Sequence, residues 1–191
     1  MGSDTIQQLL RERAASDAIA VKYADLQWTW REHLSEASAR AAALLALVDR
    51  DKPVHVGVLL GNTPEFLHQM AAAGLGGYVL CGLNTTRRGA ALAADIRRSD
   101  CQIVVTDAEH RALLDGVELG DVTVLDSSSQ DWARMLAAAG ELSPYREVDA
   151  LDPYMLIFTS GTSGDPKAVK VSHFMVPVSY THLTLPTNRE V

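Results

Sequence analysis

The chain has 191 residues, 47% hydrophobic and 21% charged, a balance that lets a globular fold bury a core and excludes a wholly disordered chain. Against 24 Asp and Glu stand 17 Lys and Arg, so the net charge is −7, general attraction to nucleic acid or anionic lipid is disfavoured, and any polyanion site must be local. Cys81 and Cys101 form no CxxC pair and have no His/Cys cluster beside them, which predicts two small apolar thiols in a reduced, cytoplasmic setting rather than a zinc site.

The opening MGSDTIQQLLRER lacks an apolar signal region, and Ile6 stands where a myristoylation signal needs Ser or Thr. Ile6, Leu9, Leu10 and Arg13 predict a short first helix instead. Ile19, Val21 and Tyr23, then Leu26, Trp28 and Trp30, alternate around Ala24–Asp25 and predict a hairpin. The three tryptophans, Trp28, Trp30 and Trp132, sit at core periodicities. Leu34, Ala37, Ala41, Leu44, Leu45 and Val48 follow a 3.6-residue period, a helix that residues 49–53 terminate.

Residues 54–60, VHVGVLL, read as a buried strand, followed at once by a helix with Thr63 as N-cap and Pro64 in its first position. Gly74, Gly76 and Gly77 mark the end of that helix or a close approach. Residues 66–86 carry no Asp, Glu, Lys or Arg, yet His68, Gln69, the glycines and Asn84 make them a buried helix and strand rather than a membrane span. The NTT sequon at Asn84 carries no meaning without a secretory signal. Strands at 79–84 and 101–106 flank a helix over 87–98, whose start exposes Arg87 and Arg88 to solvent. A strand at 122–125 precedes a helix with Ser128 and Asp131 as a capping box and Trp132, Met135 and Leu136 facing inward. After a polar stretch over 140–153, YMLIF at 154–158 is the last apolar strand. Buried strands alternating with amphipathic helices predict an α/β sheet with helices on both faces.

The segment FTSGTSGDPK, residues 158–167, leaves the end of that strand, where ligands of open α/β sheets bind. Gly161 and Gly164 allow close backbone approach, Thr159, Ser160, Thr162 and Ser163 offer hydroxyls, and Lys167 adds a mobile positive charge. Together these can surround the β- and γ-phosphates of a nucleotide. A Ser/Gly-rich surface turn would account for the glycines but not for the buried strand before them or the lysine. The segment is not a Walker A loop, because Pro166 stands at the cradle glycine and Ala168 at the magnesium-binding hydroxyl. GxGxxG, GxSxG and SxxK patterns fail as well.

LIFTSGTSGDPKAVKVSH, residues 156–173, resembles the signature loop of the adenylate-forming (AMP-binding) superfamily, close to YTSGTTGxPKGVxxSH. VKYADLQWTWREHL resembles that family's early strand pair, and VGVLLGNTPEFLHQMAAAGLGGYVLCGLN its strand, helix and strand. Ala168 and GLNTTRRGAAL look most like bacterial acyl-CoA synthetases of the fatty-acid and steroid-side-chain type. The resemblance implies a layered sheet forming an incomplete N-terminal part of the large AMP-binding domain over residues 1–173, with 174–191 an irregular, non-native tail. It implies that a small carboxylic acid attacks the α-phosphate of ATP with Mg2+, and that the thiol of coenzyme A then takes the acyl group. Thr159, Ser160, Gly161, Thr162, Ser163 and Gly164 would wrap the β/γ-phosphates, with Lys167 on the pyrophosphate. His173 matches the family's SH pair and is expected at a helix start or in packing rather than in catalysis. The adenine-binding strand, the Mg2+-binding acid, the acyl pocket and the catalytic lysine are expected downstream, so the chain by itself is expected to be inactive, and the alternative is a non-catalytic phosphate-binding module.

Overall fold

The computed structural model describes residues 5–159 and 167–175. In chain order the elements are α1 (Ile6–Arg13), β1 (Ile19–Tyr23), β2 (Leu26–Thr29), α2 (Trp30–Leu45), β3 (His55–Leu59), α3 (Pro64–Gly76), β4 (Val79–Gly82), α4 (Gly89–Arg98), β5 (Ile103–Thr106), β6 (Thr123–Asp126), α5 (Gln130–Ala137), β7 (Pro153–Thr159) and β8 (Lys167–Ser172), with a short 3-10 turn at Arg111–Leu114. β1 and β2 pair as the separate antiparallel hairpin expected around Ala24. The remaining strands form one sheet in the order β6-β5-β3-β4-β7-β8. Pairings from β6 through β7 are parallel, and β8 alone runs antiparallel, against β7.

Both faces of the sheet are covered, as the alternation of elements predicts. On one face Leu34 and Leu44 of α2, Ala72 and Leu75 of α3, Ile6 and Leu10 of α1, and Trp132 of α5 pack on Val56, Val58 and Leu80. On the other, Leu92 and Ile96 of α4 and Leu114 pack on Cys81, Val104, Leu156 and Phe158. A parallel strand buried on both faces must be apolar nearly throughout, which is why β3, at the centre, is apolar from Val56 to Leu59. Trp132 is buried, whereas Trp28 and Trp30 are only half-buried, Trp28 presenting an edge to His68 at 5.6 Å. Among the described residues no helix is long and apolar enough to cross a membrane.

Several boundaries move for local reasons. α2 begins with a capping box in which the Glu32 N–H donates to Thr29 Oγ1 at 3.2 Å and the Thr29 N–H donates to Glu32 Oε2 at 2.8 Å. The T-x-x-E spacing of that box is plain in the sequence. The helix stops at Leu45, leaving Val48 beyond it. The capping box expected at Ser128 and Asp131 does not form. The Ser128 N–H is held by the Asp126 carboxylate at 2.8 Å, the start of α5 shifts by one residue, and Ser129 caps it by accepting from the Trp132 N–H at 3.0 Å. α4 starts at Gly89, and Arg87 is not a solvated helix start: its Nε donates at 3.0 Å to Asp95, whose side chain is 1% exposed.

Two glycines of the α3 region are required by packing. A Cβ at Gly74 would lie 2.7 Å from Ile6 and Leu10, so the missing side chain lets α1 approach α3. Gly77 ends α3 at φ +70, and a Cβ there would strike the Arg146 carbonyl oxygen. Between α2 and α3 lies a polar layer. Arg40 donates to Glu65 at 2.6 Å and to Glu36 at 2.5 Å, and the Nδ1 atoms of His33 and His68 face one another at 2.9 Å. Burial, reinforced by His68 and Arg40, lowers the pKa of His33 to about 4, so that pair is neutral at pH 7.

Candidate nucleotide-phosphate site

The segment singled out in the sequence is bracketed by β7 and β8. β7 is held in the sheet by parallel pairing to β4, with Leu80, Cys81 and Gly82 opposite Met155, Leu156 and Ile157. Its C-terminal end therefore opens on the rim shared by all the parallel strands, where β3, β4 and β5 also end. Ladder pairing runs antiparallel from Pro153 opposite Ser172 to Thr159 opposite Lys167. Thr159 and Lys167 thus occupy one rung, the last of β7 and the first of β8. Ser160, Gly161, Thr162, Ser163 and Gly164, with Pro166, lie outside the described residues.

The far end of the β7–β8 pair is fastened as well. The His173 N–H donates to the Asp152 carbonyl at 3.0 Å and the Phe174 N–H to the Ala150 carbonyl at 2.9 Å. Tyr154 of β7 donates its hydroxyl to the Met70 carbonyl of α3 at 2.9 Å, and the His173 ring packs against the Tyr154 ring at 5.2 Å. His173 is fully buried and neither ring nitrogen has a partner. Burial pushes its pKa down to about 4, with Arg146 adding to the shift and Asp152 opposing it. A neutral ring sealed in the interior is a packing residue, in agreement with the sequence reading.

Sequence reasoning missed β8. KAVKVS carries two lysines in six residues and reads as the tail of a loop, and only the backbone pairing with β7 makes it a strand. It also passed over a polar pair on the same rim. Asp107, directly after β5, accepts from the His110 N–H at 2.9 Å and lies 2.7 Å from His110 Nδ1. That pair belongs to β5, two strands beyond β4, and is not brought together with the β7 rim.

The donor set suits phosphate: hydroxyls, two glycines and one lysine at the carboxyl end of a parallel strand whose base is locked on both sides. Over residues 10–189 the sequence matches the family described as AMP-binding enzyme. The chain belongs to that family. A medium/long-chain-fatty-acid–CoA ligase, FadD17, of Mycobacterium marinum is 43% identical over 182 residues, covering 94% of this chain and 35% of the relative. A steroid-22-oyl-CoA synthetase of Rhodococcus jostii is 42% identical over 172 residues, covering 88% of this chain and 31% of the relative. The inhibitor-bound N-terminal domain of FACL13 from Mycobacterium tuberculosis superposes with a TM-score of 0.75 at 26% identity, over 88% of this chain and 44% of that one. The chain therefore spans about a third of the length of the curated relatives it matches. The sheet corresponds to the N-terminal portion of such an enzyme, as the match to the FACL13 N-terminal domain indicates.

Proposed function

We propose that this chain supplies the ATP-phosphate loop of an AMP-forming acyl-CoA synthetase acting on fatty-acid or steroid-side-chain carboxylates. The observation that carries the reading is the β7–β8 pair, which delivers a hydroxyl-rich, glycine-containing segment to the carboxyl rim of a parallel sheet and fixes both its ends on one rung. Thr159, Ser160, Gly161, Thr162, Ser163 and Gly164 hold the β- and γ-phosphates through hydroxyls and backbone N–H groups. Lys167 neutralises charge that builds up on the departing pyrophosphate when the substrate carboxylate attacks the α-phosphorus. The acyl-adenylate formed is the acceptor for the thiol of coenzyme A.

Mg2+, coenzyme A and the acyl group are assigned to parts of the relatives' length that this chain does not span. The chain alone binds the triphosphate without turnover, in the cytoplasm where ATP and coenzyme A are held.

Titration of ATP into the 191-residue chain, with and without Lys167→Ala, tests the site. The substitution is expected to weaken binding at least tenfold, about 1.4 kcal/mol. Unchanged affinity would remove the segment from the reading. A pyrophosphate-release assay with ATP, Mg2+ and a fatty acid separates binding from chemistry. Robust turnover by this chain would overturn the assignment of the remaining machinery to other segments.

A further inference from the structure

Cys81 and Cys101 lie far apart in sequence and on different elements, yet share one buried spot. Cys81 is on β4, opposite Gly57 of β3, and Cys101 follows the turn from α4 into β5. A Cβ at Gly57 would sit 3.1 Å from Cys101 Sγ, so the bare backbone of β3 opens the space in which the sulfur rests. The two thiols then meet the same fully buried serine. Cys81 donates to the Ser99 carbonyl at 3.9 Å, and Ser99 Oγ lies 2.9 Å from Cys101 Sγ. Both cysteines are free thiols. Cys101, itself only 6% exposed, also borders a cleft of about 780 Å³ beside Arg97, Gln102 and Lys52.

We propose that Cys81 and Cys101 form a modification site, a dithiol that closes to an intramolecular disulfide by exchange with a small-molecule disulfide entering through this cleft. Cys101, on the cleft, loses its proton to solvent and attacks one sulfur of the external disulfide. The external S–S bond breaks and one thiolate leaves. Cys81, losing its own proton, attacks the Cys101 sulfur of the mixed disulfide and expels the second thiolate. The protein gives up two hydrogens, and the external disulfide is reduced to two thiols. Exchange is slow, because the thiolate is the nucleophile and hydrogen bonding to Cys101, together with burial, holds the Cys81 thiol protonated. The product ties β4 to the turn that begins β5 and closes the α4 segment into a loop.

The full chain, incubated with oxidised glutathione and unfolded afterwards in alkylating agent, is expected to lose about 2 Da and to take up no alkyl group, with its melting midpoint raised by about 5–10 °C. Cys81→Ser should stop at the mixed disulfide, gaining about 305 Da, because the resolving thiol is gone. Cys101→Ser should not react while folded, as judged by circular dichroism. Two alkylatable thiols in a wild-type chain that stays folded, or a wild-type reaction that stops at the mixed disulfide, would overturn the proposal. So would equal reactivity of the Cys101→Ser chain.

Discussion

β3 and β8 belong to the same sheet and are held by opposite means. β3 is paired on both sides, and Val56, Val58 and Leu59 are buried between helices on either face. Among the described residues β8 is paired on one side only; Ala168, Val169 and Lys170 are exposed, and its fixed points are His173 and the rungs against β7. Interior strands of a parallel sheet draw stability from side-chain burial and can be recognised from it. A strand added at the edge is defined by backbone pairing, so its side chains stay available to be read as something else. The candidate segment adjoins the second kind of strand, and the stability lies with the first.

The contrast can be broken by substitution, beginning in the layer over β3. Arg40→Ala leaves the Glu65 carboxylate, 17% exposed, without its cation and should cost about 3 kcal/mol, read from the urea midpoint. Replacing both partners, Arg40→Met with Glu65→Met, should recover more than half of that loss. Gly77→Ala places a Cβ against Arg146 at φ +70 and should cost about 2 kcal/mol, equal to or more than any conservative change on β8.

Acid should act on both regions. The folded pKa values of His33 and His173 are depressed to about 4, below an unfolded value near 6.5, so their contribution is complete above pH 6.5 and is lost as pH falls towards 4. Each of the two should contribute a drop of up to about 2 kcal/mol between pH 7 and pH 5, measured in urea, and His173→Leu should remove its share of that drop. The smallest effect is expected at the edge. Ile157, 41% exposed, and Val169, 43% exposed, face one another on β7 and β8, and changing either to Thr should move the midpoint by less than about 0.5 kcal/mol while reducing aggregation.

Periodicity made the covered part of the fold legible. Leu34, Ala37, Ala41 and Leu44 read as one stripe of a helix, and VHVGVLL, too short for a helix and followed at once by a Thr-Pro helix start, read as a buried strand. Boundaries were less legible, since they depend on which of several neighbouring groups takes a given N–H. At α5 the Asp126 carboxylate took the Ser128 N–H and passed the cap to Ser129. Arg87 shows a related limit. Nothing in its surroundings in sequence reveals that Asp95, on the next helix, would be buried and need a cation. At the candidate site the motif could be read from residue types alone, whereas the partner strand could not, because KAVKVS holds its place by ladder bonds that leave no trace in hydropathy.

Thr159 and Lys167 stand opposite one another on a single rung. Whatever path the seven residues between them take, its two ends are already within a strand spacing, about 5 Å, before any ligand arrives. The entropy of bringing those ends together is settled when the sheet folds, so in the proposed site a triphosphate would not have to supply it. If the segment holds a triphosphate as proposed, affinity is then a property of the hairpin's base as much as of the residues between its ends. A substitution in β8 that loosens its first rungs would register as weaker binding with little change in the melting of the rest of the chain.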